Sequence, residues 1–128
     1  MTERIPVSVT TDGDGAATVY SPKIASGKLS QIRYVKTDFA DGVDFTITLE
    51  TTGEAIWAEE NVNASATRAP RQPIHSTAGV AALYAAGGAA VLDKIAIGMD
   101  RFKIVVAAGG DTKTGTFYFV IEDAFVPR

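Results

Sequence analysis

The sequence predicts an all-β fold, an antiparallel β-sandwich of the jelly-roll kind with one long proline-containing loop. Apolar and polar residues alternate along most of the chain, as they do in strands that have one buried and one solvated face. Turn-forming residues recur at intervals of roughly 8–12 residues, the spacing found in sandwiches and barrels. Residues 1–128 are too few for two separate cores, so we expect a single domain.

The chain is predicted to begin with a β-hairpin. Residues 5–11 alternate, residues 12–15 (Asp-Gly-Asp-Gly) suit a turn because glycine adopts positive φ without a Cβ clash, and residues 17–21 return. Residues 28–36 form the next predicted strand, after a link that contains Pro22.

A second hairpin is predicted near the middle of the chain. Residues 44–49 alternate between apolar and polar side chains, a Thr-Thr-Gly turn follows, and residues 55–60 return with the only tryptophan, Trp57. The apolar side chains of the first strand all fall on one side, which we predict to face the core.

The alternating pattern fails over residues 61–77, which are polar and contain Pro70 and Pro73. We predict an extended loop or arm here, and a loop of this length in a compact domain is usually functional. Residues 77–86 are a short apolar run that fits a strand and a helix equally well.

Three further strands are predicted in the C-terminal part, over residues 90–97, 101–107 and 116–122. The last of them alternates aromatic and aliphatic residues on its predicted inner face. Residues 123–128 follow as a C-terminal tail.

Composition excludes several classes of protein. The chain has no cysteine, which excludes disulfide scaffolds, thiolate zinc sites and cysteine nucleophiles. The net charge of −3 argues against a nucleic-acid binder, which usually carries a basic excess. The sequence has neither an 18-residue apolar run nor the pattern of a signal peptide, so we expect no membrane association and a protein made and assembled in the cytoplasm.

No reactive grouping is visible, and we therefore predict no catalytic residue, no cofactor and no metal. His75 is the only histidine and has no second histidine with which to share a metal. Residues 12–15 superficially resemble a calcium loop, but the ligands that should follow are replaced by alanines and a valine. The glycine pairs at 87–88 and 109–110 lack the context of a phosphate-binding loop.

Two other functions remain open from the residues alone. An enzyme with dispersed carboxylates would use the acidic residues around the second hairpin, although a solvated face explains them more simply. A carbohydrate-binding or host-adsorption module would use an aromatic platform, although a place in the core or in a subunit contact is the simpler explanation. The acidic residues are Asp38, Asp41, Asp44, Glu54, Glu59 and Glu60, and the aromatic residues are Tyr34, Trp57, Tyr84 and Tyr118.

Candidate contacts with a partner lie in two places. Arg68, Arg71 and His75 belong to the proline-containing segment, whose cations could reach an acidic neighbour. Phe125 and Val126 are apolar residues near the C-terminus, where they could dock on a partner or pack on the sandwich itself.

Several phrases resemble small structural proteins encoded in tailed phages and prophages, over about residues 27–122. They are strand and turn phrases, and none carries a functional residue that could be transferred. The phrases are Gly27-Lys-Leu-Ser-Gln-Ile-Arg-Tyr-Val-Lys36, Asp41-Gly-Val-Asp-Phe-Thr-Ile-Thr48, Thr52-Gly-Glu-Ala-Ile-Trp57, Asn61-Val-Asn-Ala-Ser-Ala-Thr67, Asp100-Arg-Phe-Lys-Ile-Val-Val106 with Gly109-Gly110, and Thr114-Gly-Thr116.

Within this group the chain is most similar to head decoration (cement) proteins, and a head–tail joining or tail role is compatible with the same resemblance. The resemblance implies a jelly-roll-like sandwich on the capsid exterior that contacts the major capsid protein, and we expect a homo-oligomer, a dimer or trimer. The first strand and residues 61–77 would then be the clamping elements.

Overall fold

The computed structural model describes residues 2–22 and 25–125, with only the backbone of Phe125, and they form ten strands. The described residues contain no helix, and hence none long and apolar enough to cross a membrane. The prediction of an all-β fold is confirmed. The strands are β1 (Glu3–Thr10), β2 (Ala17–Tyr20), β3 (Ala25–Lys36), β4 (Val43–Leu49), β5 (Ala55–Val62), β6 (Ala66–Arg68), β7 (Arg71–Pro73), β8 (Leu92–Asp100), β9 (Phe102–Ala107) and β10 (Thr114–Phe125).

The strands form two antiparallel sheets. The first sheet has the order β1-β10-β3-β8-β7, with β6 paired to β3, and the second has the order β2-β9-β4-β5. Setting aside β6 and β7, the two four-stranded sheets have the strand order of a jelly roll. The short strands β6 and β7 are thus an insertion between β5 and β8, and the predicted sandwich is confirmed.

The predicted first hairpin is wrong. β1 pairs with β10 in the first sheet, whereas β2 pairs with β9 in the second. The turn at residues 12–15 therefore crosses from one sheet to the other. The backbone N–H of Gly109 donates to the carbonyl of Gly15 at 2.9 Å, and a Cβ on Gly15 would lie 2.9 Å from the backbone nitrogen of Gly110. The turn thus packs against the 108–113 turn rather than closing a hairpin.

The second hairpin is confirmed, as β4 and β5 pair antiparallel with Ile47 opposite Trp57. The side chains of Phe45, Ile47 and Leu49 are buried, as the alternation predicts. Two register shifts interrupt the pair, one of them next to Phe45.

An aromatic cluster fills the space between the sheets. The ring of Phe117 lies 5.1 Å from those of Tyr34 and Phe45 and 6.4 Å from that of Trp57, centroid to centroid. All four side chains are buried. Because these residues come from β3, β4, β5 and β10, the cluster ties both sheets together through dispersion and edge-to-face ring contacts.

Residues 61–77 do not form the predicted extended arm. β3 and β8 pair from Ala25↔Asp100 to Leu29↔Ile95 and then separate. Beyond Leu29 and Ile95, β3 pairs with β6 and β8 pairs with β7. We call this point the fork. Residues 61–77 are therefore held in the first sheet at two places, by β6 and by β7.

Residues 77–86 form neither a strand nor a helix. They contain turns and take part in two isolated bridges, His75↔Ala81 and Leu83↔Ala90. At the other end of the chain, β10 continues to Phe125, so the predicted tail begins as part of a strand, and Phe125 pairs with Ser26. Val126 lies outside the described residues.

Candidate interaction surfaces

The described residues show no grouping typical of a metal site. They contain no set of three or more His, Asp or Glu side chains that could hold a metal ion. At the suspected calcium loop, the Asp12 Oδ1 accepts the backbone N–H groups of Asp14 and Ala16 at 2.9 and 3.1 Å. This carboxylate stabilises a turn, as the simpler interpretation predicts.

The most unusual part of the surface is residues 74–92, which we call the projection. It joins β7 to β8 and has no buried residue. Residues 76–92 contain no Asp, Glu, Lys or Arg. A segment with these properties contributes little to the core and exposes apolar side chains.

A closed ring of backbone hydrogen bonds holds the base of the projection. The N–H of Ile74 donates to the carbonyl of Val91 at 3.0 Å, that of Val91 to Ala82 at 2.9 Å, and that of Ala82 to Ile74 at 3.0 Å. Three chain segments are thereby fixed to one another without side chains. Two tight turns close the outer ends, with Gly79 at φ 78° and Gly87 at φ 72°.

The projection exposes a set of large apolar side chains. Tyr84 is 76% exposed and Val80 64%, while Leu83 and Leu92 are about half exposed. All four lie within residues 80–92. Single exposed apolar residues scattered over a surface are ordinary, whereas several exposed by one short segment are typical of an interaction site. Since the backbone is already fixed, binding through this group would carry a small cost in conformational entropy.

Arg68 is engaged within the chain. Its Nε and Nη2 donate to Oε1 and Oε2 of Glu59, both at 2.9 Å, and its guanidinium lies 5.7 Å from the centre of the Trp57 ring. The Arg68 hydrogen bonds and that of the Trp57 indole lower the pKa of Glu59. Arg68, which was predicted to reach an acidic neighbour, thus pairs with an acidic residue of its own chain, Glu59.

Arg71 is likewise used internally, at the fork. It is half-buried, and its Nη1 donates to the carbonyls of Ser30 and Pro70 at 3.0 and 2.9 Å. It thereby satisfies the Ser30 carbonyl at the point where β3 and β8 separate.

His75 is exposed at the base of the projection and bridges Ala81 through its backbone. Of the five predicted partner contacts, it is the one that belongs to the projection, residues 74–92. Phe125 is described only as a backbone pair of Ser26, and Val126 is not among the described residues.

The aromatic residues do not form a platform for sugars. Tyr34 and Trp57 are buried in the core, Tyr118 lies on the outer side of β10, and Tyr84 lies on the projection. The acidic residues around the second hairpin are partly engaged as well, Asp41 with Lys36 and Glu59 with Arg68.

Strand periodicity does not reveal the projection, because the three segments that meet at its base are too short to show a period. The signal that would have found it is the absence of charge over residues 76–92, which belong to the longest stretch of the sequence without Asp, Glu, Lys or Arg, residues 72–92. Such a stretch in a chain with 21% charged residues indicates either burial or an interface.

No protein-family model matches the chain, and no curated protein is similar enough to match it in sequence. The solved structures that are similar in part include two viral capsid structures. One is the cryo-EM structure of the giant freshwater prawn Macrobrachium rosenbergii extra small virus VLP, at 11% identity and a TM-score of 0.35, covering 93% of this chain and 77% of that one. The other is infectious bursal disease virus Gx strain, at 12% identity and a TM-score of 0.20. The match covers 98% of this chain but only 38% of the second structure's chain. Both likenesses are too distant to bear on function.

Proposed function

We propose that this chain is a virion structural protein, a decoration or cement protein that binds the outer shell of a capsid and stabilises contacts between major capsid subunits. The observation that carries this proposal is the projection, an uncharged and exposed apolar element with a backbone fixed in advance. Such an element suits attachment to another protein surface.

The jelly-roll sandwich supports the proposal because a clamping protein needs a rigid body from which its contact element extends. The resemblance of residues 27–122 to small phage structural proteins supports the same role. A small contact on each copy is sufficient if copies attach to a symmetric shell as a dimer or trimer, because linked sites bind together more firmly than either alone.

A head–tail joining or tail role would use the same projection and is the nearest alternative. The carbohydrate-binding alternative loses its main support, because Trp57 and Tyr34 are buried among core residues. An enzyme with dispersed carboxylates would need pairs held free for chemistry, whereas Glu59 is tied to Arg68.

The test uses phage particles that lack the protein and purified protein added back. Tyr84→Ser and Leu83→Ser should each weaken binding to the shells at least about tenfold, since exposed aromatic and aliphatic anchors dominate such contacts. Co-sedimentation measures the binding, and heat-induced release of the genome measures the stabilisation.

A matched pair isolates the projection from general surface apolarity. Val80→Thr changes the projection, and Val105→Thr makes the same change on the outer face of the second sheet, where Val105 is 37% exposed. We expect only the first to weaken binding. The proposal would be refuted if all the projection variants bound the shells as tightly as the unchanged protein. It would also be refuted if particles without the protein resisted heat as well as particles that carry it.

A further inference from the structure

The outer face of the first sheet carries a second surface with different chemistry. Arg4 on β1 lies opposite Val120 on β10, and Arg33 on β3 lies opposite Tyr118. Between them is a shallow depression of about 300 Å³. Its lining residues are Arg4, Gln31, Arg33, Val35, Tyr118 and Val120.

The two guanidinium groups have donors to spare. Within the described part of the chain, the Arg4 guanidinium has neither a hydrogen bond nor an ion pair, and that of Arg33 donates once, from Nη1 to Thr67 Oγ1 at 3.1 Å. A guanidinium carries five N–H donors, so most of them point to solvent. Both arginines are exposed.

Neighbouring charges do not neutralise this face. Glu122, two residues beyond Val120 on β10, is paired with Lys94, whose Nζ lies 2.5 Å from its Oε2. That hydrogen bond lowers the pKa of the Glu122 carboxyl. Lys28, exposed and opposite Glu122 in the sheet, adds a further cation. A chain with a net charge of −3 thus presents a locally positive face, which we call the cationic face.

We propose that the cationic face binds an acidic segment of a partner polypeptide, with carboxylates on Arg4 and Arg33 and apolar side chains over Tyr118 and Val120. Arginine and tyrosine around a small apolar depression are the residues that dominate protein–protein contacts. The guanidinium fork fits a carboxylate with two parallel hydrogen bonds. This inference does not rest on the proposed capsid role.

A second copy of this chain does not fit the face. A two-fold contact would place Arg4 and Arg33 against the same arginines, and like charges facing each other oppose association. A contact between this face and the outer face of the second sheet would join opposite sides of one sandwich. Such a head-to-tail contact cannot close a dimer, and it repeats into an open filament unless its rotation closes a ring.

Nucleic acid fits less well than an acidic polypeptide. Proteins that bind nucleic acid through the backbone commonly engage about 6–10 phosphates. The cations of this face that form no ion pair within the described part of the chain are Arg4, Lys28 and Arg33. The apolar residues between the arginines would also remain uncovered by a phosphate backbone.

The test titrates the ¹⁵N-labelled full chain with the capped peptide GEVEFEVG and records backbone and arginine Nε–H spectra. Shifts should concentrate at Arg4, Arg33, Tyr118 and Val120 and should disappear at high salt, because exposed ion pairs are screened. The peptide GQVQFQVG, with the same length and apolar residues, should cause no comparable shift.

The double variant Arg4→Gln/Arg33→Gln should bind the acidic peptide about tenfold more weakly. The control Lys103→Gln/Lys113→Gln removes the same total charge elsewhere on the surface and should bind within about twofold of the unchanged chain. Tyr118→Ser should weaken binding of the acidic peptide with both arginines retained.

The proposal is overturned if the shifts map to another surface, if the two peptides bind equally, or if the two double variants weaken binding to the same degree. It is also overturned if a single-stranded oligonucleotide shifts the same residues at lower concentration than the acidic peptide, which would assign the face to phosphates. Neither result bears on the projection, so failure here is distinguishable from failure of the capsid role.

Discussion

The sandwich and the projection obtain their shapes from different forces. In β4 every second side chain is buried, with Ile47 fully so, whereas the projection has no buried residue and is held by a ring of backbone hydrogen bonds. A side chain removed from the sandwich leaves a cavity, and one removed from the projection leaves only solvent. Substitutions should therefore cost stability in the first region and binding in the second.

The largest expected effect is that of Phe117→Ala, which empties the centre of the aromatic cluster. We expect it to lower the free energy of unfolding by about 3–5 kcal/mol. Its counterpart Tyr84→Ala should change that free energy by less than about 0.5 kcal/mol. Urea unfolding followed by the fluorescence of Trp57 and by circular dichroism measures both.

The contrast between the regions fails if the two alanine variants have similar stability. It also fails if Tyr84→Ala unfolds at a clearly lower urea concentration than the unchanged chain, because the projection would then be part of the cooperative core.

Two glycine-to-alanine substitutions, one in the sandwich and one in the projection, compare how strongly the backbone is constrained in the two regions. A Cβ on Gly27 would lie 2.5 Å from the carbonyl oxygen of Glu122, and its φ is 141°. We expect Gly27→Ala to cost about 2–3 kcal/mol, since the neighbouring strand must move. Gly79 in the projection has φ 78°, and a Cβ added there would meet nothing within 4 Å, so Gly79→Ala should cost about 1 kcal/mol from its backbone conformation alone.

Thermal and urea unfolding of the two glycine variants supply the measurement. A cost for Gly79→Ala equal to or above that for Gly27→Ala would mean that close packing in the sandwich does not set the difference.

The smallest expected effect concerns one polar atom inside the sandwich. Within the described residues, the Tyr34 hydroxyl is buried without a hydrogen-bond partner, and burial raises the pKa of Tyr34 to about 12. Tyr34→Phe should therefore stabilise the fold by about 1 kcal/mol at neutral pH.

The pH dependence of Tyr34 follows from the same burial. Because the folded chain holds the phenol proton more tightly than the unfolded chain, wild-type stability is full below pH 10 and is lost as the pH rises toward 12. The advantage of the Phe variant should widen over that range, measured as the difference between urea midpoints. A constant difference would show that the phenol does not titrate differently in the two states.

Side-chain alternation was sufficient to predict most of the sandwich. Ile32, Tyr34 and Phe119 face inward as the period of two requires. The first hairpin was predicted wrongly because an Asp-Gly turn reverses the chain in the same way whether it closes a hairpin or crosses between sheets. The sequence does not show that residues 12–15 pack against residues 108–113, about a hundred positions away.

The interaction surfaces were harder to predict. β6 and β7 have three residues each, too few to show a period. Arg68 looked free in the sequence, and only the fold places it beside Glu59 and the Trp57 ring. The cationic face joins Arg4 to Arg33 across β10, a neighbourhood fixed by strand order alone.

The ring of main-chain bonds among Ile74, Ala82 and Val91 has a consequence for how this protein can diverge or be redesigned. Since no side chain takes part in that ring, the outer residues can be exchanged while the loop keeps its contour. The turn at residues 85–88 is accordingly a natural place to graft a foreign epitope or a new specificity onto an unchanged scaffold.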